Sequence, residues 1–135
     1  MTVVVRTITR ILLPISLVFG GYVVMHGHLT PGGGFQGGAV AASGLALVIV
    51  AFSAGRLAGK KGLFSALGSL GAVAFAALGF LGLGGATFFA NVLAGSGKGE
   101  LNTVFLMDWA VGFKVLAGLS AVVLLFALFG GESDR

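Results

Sequence analysis

Cysteine is absent from the 135 residues, which excludes a disulfide framework, a thiolate metal site and a cysteine nucleophile. Charge is nearly as scarce: 9% of the residues are charged, against about 25% in soluble domains. Four acidic side chains face eight basic ones, and the net charge of +4 is too dispersed among long apolar runs to form a nucleic-acid footprint. With 57% hydrophobic residues and a mean hydropathy of +1.10, the chain is built for lipid. The sequence offers no soluble domain and no constellation of nucleophile, base and acid, so it does not read as an enzyme.

A helix crosses a bilayer with about 20 apolar residues. The stretch from Ile11 to Gly55 contains no Asp, Glu, Lys or Arg and is too long for one crossing. It breaks at His26-Gly27-His28-Leu29-Thr30-Pro31-Gly32-Gly33-Gly34, where glycine loosens the backbone and Pro31 turns Thr30 away from helix. A second charge-free run, Gly62 to Gly97, ends in residues rich in Gly, Ser and Asn, so it holds one span followed by a loop at Asn91 to Asn102. The pattern predicts an all-α integral membrane protein, one membrane domain over 1–135, with four transmembrane helices near 3–25, 35–54, 63–89 and 106–129. Gly130-Gly131 and the polar tail Glu132-Ser133-Asp134-Arg135 stop the last one.

Orientation follows from the cations, because cytoplasmic flanks carry excess Lys and Arg. Arg6 and Arg10 flank the start of the first span, Arg56, Lys60 and Lys61 fill the second connection, and Arg135 follows the fourth. The opposite side holds Lys98 alone. Both termini are expected in the cytoplasm, with the glycine turn and the Asn91 to Asn102 loop outside. A cleaved leader would also pair basic residues with an apolar run, but no small-x-small pattern closes a short apolar core here.

Few side chains remain to carry chemistry. The run Pro31-Gly32-Gly33-Gly34-Phe35-Gln36-Gly37-Gly38 lacks the Lys-Ser/Thr ending of a phosphate loop and follows a helix rather than a strand. Histidines 26 and 28 would need further ligands to hold a metal, and the only carboxylates are Glu100, Asp108, Glu132 and Asp134, so no metal site is expected. Histidine is the side-chain type suited to proton exchange near physiological pH, so His26 and His28 are candidates for a proton relay at the outer surface, or for caps on the end of the first helix. Thr30-Pro31 can start the second helix, and Gln36 can bond the exposed glycine backbone or a neighbouring helix.

Lys114 lies inside the predicted fourth span, where it must snorkel outward, meet a carboxylate or line a hydrated path. Asp108, read at the start of the fourth span, is a cap on its own helix or an interface anchor, and otherwise an ion-path candidate. At 100° per residue the two differ by about 120° around the helix, so they are not an i,i+4 pair. Ser65, Ser69, Ala72, Ala76 and Gly79 form a small-residue stripe on the third span, echoed by Gly37, Ala41 and Gly44 on the second. Such stripes let helices approach closely in lipid, either on partner subunits or within one chain.

The stretch His26-Gly27-His28-Leu29-Thr30-Pro31-Gly32-Gly33-Gly34-Phe35-Gln36-Gly37-Gly38 resembles the hallmark of the B-subunit family of Mrp-type sodium/proton antiporters, in which it joins the first two spans. Arg6-Thr7-Ile8-Thr9-Arg10 and Phe105-Leu106-Met107-Asp108 are similar to the same family, which also supplies a subunit to membrane-bound hydrogenases and sulfane reductases. The resemblance implies a small non-catalytic subunit, multi-pass in the cell membrane, that works with the other subunits of an antiporter or of a hydrogenase or sulfane reductase on Na⁺ and H⁺. It implies no cofactor in this chain, with redox centres left to partner subunits, and it makes Thr30, Pro31, Gly32, Gly33, Gly34, Phe35, Gln36, Gly37 and Gly38 a conformation-setting corner against neighbouring subunits. A purely structural adaptor and a homo-oligomeric channel ringed by Lys114 are the competing readings.

The absence of cysteine makes the topology directly testable. In whole cells a membrane-impermeant maleimide is expected to label Ser96→Cys, and to label Ser133→Cys only after permeabilisation; the reverse pattern inverts the orientation.

Overall fold

A computed structural model of the protein describes residues 3–27, 29, 32–52, 59–85 and 103–130. It is helical: α1 Val3–Met25, α2 Gly33–Phe52, α3 Lys61–Gly82 and α4 Thr103–Gly130, with a 3₁₀ turn Leu83–Gly85 after α3. All four helices are long and apolar enough to cross a membrane. The first coincides with its predicted limits and runs through Pro14. The second starts at Gly33 rather than at 35, because Gly33 and Gly34 are drawn into its first turn by the contacts they make. The third helix ends at Gly82, short of the expected 89, amid Gly82, Gly84 and Gly85; residues 86–102 lie outside the described residues. The fourth begins three residues earlier than expected, at Thr103.

The packing order is α1, α2, α4, α3. The α2 helix sits between α1 and α4, and α3 rests on α4. Glycine decides this order. A Cβ on Gly20 of α1 would lie 2.7 Å from the Gly37 carbonyl oxygen and 3.0 Å from Ala41 Cβ, and one on Gly37 would lie 2.5 Å from the Gly20 oxygen. Farther along the same seam, a Cβ on Gly44 would stand 2.8 Å from Ser16 Cβ. The stripe Gly37, Ala41, Gly44 is therefore spent inside the chain, against α1.

The other face of α2 meets α4. A Cβ on Gly38 would lie 2.6 Å from the Gly112 oxygen and 3.0 Å from Val115 Cβ, while one on Gly34 would strike the backbone of Asp108. Gly34 faces Asp108 and Gly38 faces Gly112, so α2 and α4 run parallel. By the same pairing α1 is antiparallel to α2, and α3 to α4, through Gly71 beside Lys114 and Gly68 beside Ala117. The start of α1 and the end of α4 thus share one end of the bundle, where Arg10 also stacks over the Phe52 ring, 5.5 Å from its centroid. Ile49, Phe64 and Leu124, contributed by α2, α3 and α4, make a small buried core. Most other large apolar side chains point outward, among them Val18, Phe19, Leu70, Val73 and Phe126.

Two adjacent glycines separate these effects. Gly20→Ala must push α2 away and is expected to lower stability by about 1 to 3 kcal/mol. At Gly21 nothing lies within 4 Å of the place a methyl group would occupy, and Gly21→Ala is expected to be neutral or stabilising by up to about 1 kcal/mol. Thermal unfolding of the two variants in detergent checks the contrast.

Candidate functional site

The corner between α1 and α2 is closed by backbone against backbone. After Met25 the chain leaves the helix with the Gly27 N–H donating to the Val24 carbonyl at 3.2 Å and the Leu29 N–H donating to the His26 carbonyl at 3.0 Å. Gly32, at φ +90°, lies in the left-handed region open to glycine, and its carbonyl accepts the Gln36 N–H at 3.0 Å to begin α2. Gly33 is pressed on the Gly27 backbone so closely that a Cβ would overlap the Gly27 Cα. Gly27, Gly33, Gly34, Gly37 and Gly38 are all buried, while Phe35 and Gln36 point outward and the Gln36 side chain folds back over Gly32. His28, Thr30 and Pro31, three of the residues expected here, lie outside the described residues.

Asp108 completes the corner from α4. Its backbone lies under Gly34, and a Cβ on Gly27 would stand 2.7 Å from Asp108 Oδ2. This corrects the expectation of a cap on its own helix. Because α4 begins at Thr103, Asp108 lies past the first turn, whose N–H groups are the ones left without intrahelical acceptors. The carboxylate sits instead beside the first turn of α2, where the positive end of the helix dipole favours it. Asp108 Oδ2 is buried and has no hydrogen-bond partner among the described residues. A buried carboxylate oxygen without a donor is costly, so this position calls for a cation or water beside it.

The two remaining titratable candidates are placed elsewhere. The His26 ring lies 4.2 Å from the Tyr22 ring, and its Nδ1 is 3.0 Å from the Tyr22 carbonyl, to which it donates as a helix-end cap. Lys114 lies on the far side of α4 from the corner, its stem beside Gly71 of α3 and its side chain exposed. It is six residues beyond Asp108, about 9 Å deeper along the helix. A lysine at the centre of a span costs roughly 2.5 to 3.5 kcal/mol on insertion scales, so an outward-facing one near mid-span calls for a partner. The structure thus brings Asp108 to the glycine corner and keeps Lys114 apart from it.

The stripe on α3 splits. Gly79 is buried, but Ser65, Ser69 and Ala76 are exposed and Ala72 is half-buried; the seam with α4 is made by Phe64, Gly68 and Gly71 instead. Sequence reasoning missed Gly20, Gly71 and Gly112 as contact points. A signal existed, since Gly34 and Gly38 are spaced by four, as are Asp108 and Gly112.

A family model described as a domain related to the MnhB subunit of Na⁺/H⁺ antiporters matches residues 4–121, which include the corner, Asp108 and Lys114. The chain belongs to this MnhB-related family. It is 35% identical over 125 residues to an uncharacterized protein of Methanocaldococcus jannaschii, covering 84% of this chain and 47% of that protein. It is 50% identical over 50 residues to a Staphylococcus haemolyticus protein named as an inferred antiporter subunit, mnhB2, covering 37% of this chain and 36% of that one. A Staphylococcus aureus protein of the same name is 47% identical over 51 residues, covering 38% and 36%. The MnhB-related chain thus spans less than half the length of these relatives.

As a member of the MnhB-related family with four helices able to span a bilayer, the protein is a multi-pass membrane protein. Its corner makes a stability prediction of unusual sign. Asp108→Asn keeps the shape and removes an unpaired charge, so the detergent-purified variant is expected to unfold at the same temperature as the parent or higher. A loss above about 1 kcal/mol would reveal a donor that holds the carboxylate.

Proposed function

We propose that the chain is a non-catalytic subunit of a multisubunit Mrp-type Na⁺/H⁺ antiporter module in the cell membrane, with both termini cytoplasmic, and that it helps shape the ion path. The module is either free-standing or joined to a hydrogenase or sulfane reductase arm. Membership of the MnhB-related family supports the antiporter assignment, and the names of the staphylococcal relatives agree with it. The observation that carries the reading is the unpartnered Asp108 Oδ2, held against a corner of buried glycine backbone.

Relays through membranes need chains of titratable groups and water. With Asp108 as the only carboxylate among the described residues, this chain contributes one station to a path completed by other subunits. Backbone that leaves helical geometry at Gly27 and Gly32 is tolerated at membrane depth where it is covered by protein or borders a hydrated cavity. That condition fits a subunit boundary.

In everted membrane vesicles containing the whole complex, Asp108→Asn is expected to keep the subunits together and to lower Na⁺-driven proton exchange by about tenfold or more, as loss of a proton-transfer group does. Gly33→Leu is expected to remove the chain from the complex altogether, because no side chain fits against Gly27. Full exchange by an assembled Asp108→Asn complex would leave the chain a structural adaptor.

A further inference from the structure

We infer that the flank of the α3–α4 pair around Lys114 is the docking surface for a transmembrane helix of another subunit, and that this helix carries an Asp or Glu at the depth of Lys114. The inference rests on the reading that the chain works inside a multisubunit complex.

The pair presents two different grooves. One is walled by bulky apolar side chains, including Leu70, Leu81, Trp109 and Phe113, and suits lipid tails. The other, about 520 Å³, is lined mainly by small residues, among them Ser65, Ser69, Ala72 and Gly118. Lys114 stands one turn above Gly118 on the same stripe of α4, beside one end of this second groove, while Lys61 lines the other end near Leu124 and Leu125. Small walls let a helix backbone come close, and serine hydroxyls can bond across the contact.

Charge selects the occupant. Lys114 makes no ion pair among the described residues, and the only carboxylate among them, Asp108, is turned about 120° away into the glycine corner. A second copy of this chain has the same single described carboxylate, half-buried at its own glycine corner about 9 Å from the level of Lys114, so it is poorly placed to meet Lys114. A lipid headgroup lies at the membrane surface, whereas Lys114 is about 9 Å below the level of the corner. An intramembrane cation is held by an opposite charge or by polar backbone, and a partner helix with a carboxylate supplies the first.

The test uses the intact complex, purified in mild detergent from its native membrane after photocrosslinking. A photoreactive amino acid replaces Ser69 in the groove, with Val18 on the outer face of α1 as control. The expected product joins Ser69 to a transmembrane peptide of another subunit containing Asp or Glu. Lys114→Glu is expected to reduce that product about tenfold or more, and changing the identified carboxylate to Lys restores it. Adducts to lipid alone, or to a second copy of the chain, in an intact complex overturn the inference while leaving the functional reading in place. A chain that purifies without other subunits overturns both.

Discussion

Contact between bare helix backbones is the interaction on which this protein depends. Lipid tails are as apolar as leucine, so burying apolar side chains gives membrane helices little reason to associate, and close van der Waals packing must supply it. The α2 helix meets this demand on both faces. Gly37 and Gly44 bring α1 close, and Gly34 and Gly38 bring α4 close. Each contact is so tight that a single methyl group would have to displace its neighbours, which makes the glycines geometric requirements rather than flexible links.

The same constraint builds the corner. Because Gly33 lies directly on Gly27, the first turn of α2 is pressed against the end of α1, and the space beside that contact is filled by Asp108. A carboxylate so placed gains from the helix dipole of α2 but finds no donor among the described residues. The unpartnered carboxylate oxygen is therefore a by-product of the packing that holds the bundle together, and substitutions at the glycines act on both.

Much of this is legible in the sequence. Absence of charge marks the helices, and the end of α1 follows from the run of helix breakers that starts at His26. The start of α2 is harder to read because glycine disfavours helix in isolation, whereas the contacts of Gly33 and Gly34 override that preference. The angle between Asp108 and Lys114 follows from helical periodicity, but what each faces does not, because periodicity fixes directions around one helix and says nothing about its neighbours. For that reason the stripe on α3 is visible in the sequence while its use is not, and Asp108 reads as a cap or an interface anchor with no sign that α2 is its neighbour.

The packing order also sets a sequence of events during synthesis. Helices leave the ribosome as α1, α2, α3, α4, yet α3 rests on α4. So α3 enters the bilayer before the surface it binds exists, and it must stand alone among lipids while the next crossing is made. Its only charged residue is Lys61 at the very start, which lets it wait in that state. When α4 arrives it seats α3 and α2 together and carries Asp108 under the glycine corner, so the four described helices reach their packed arrangement only once α4 is made.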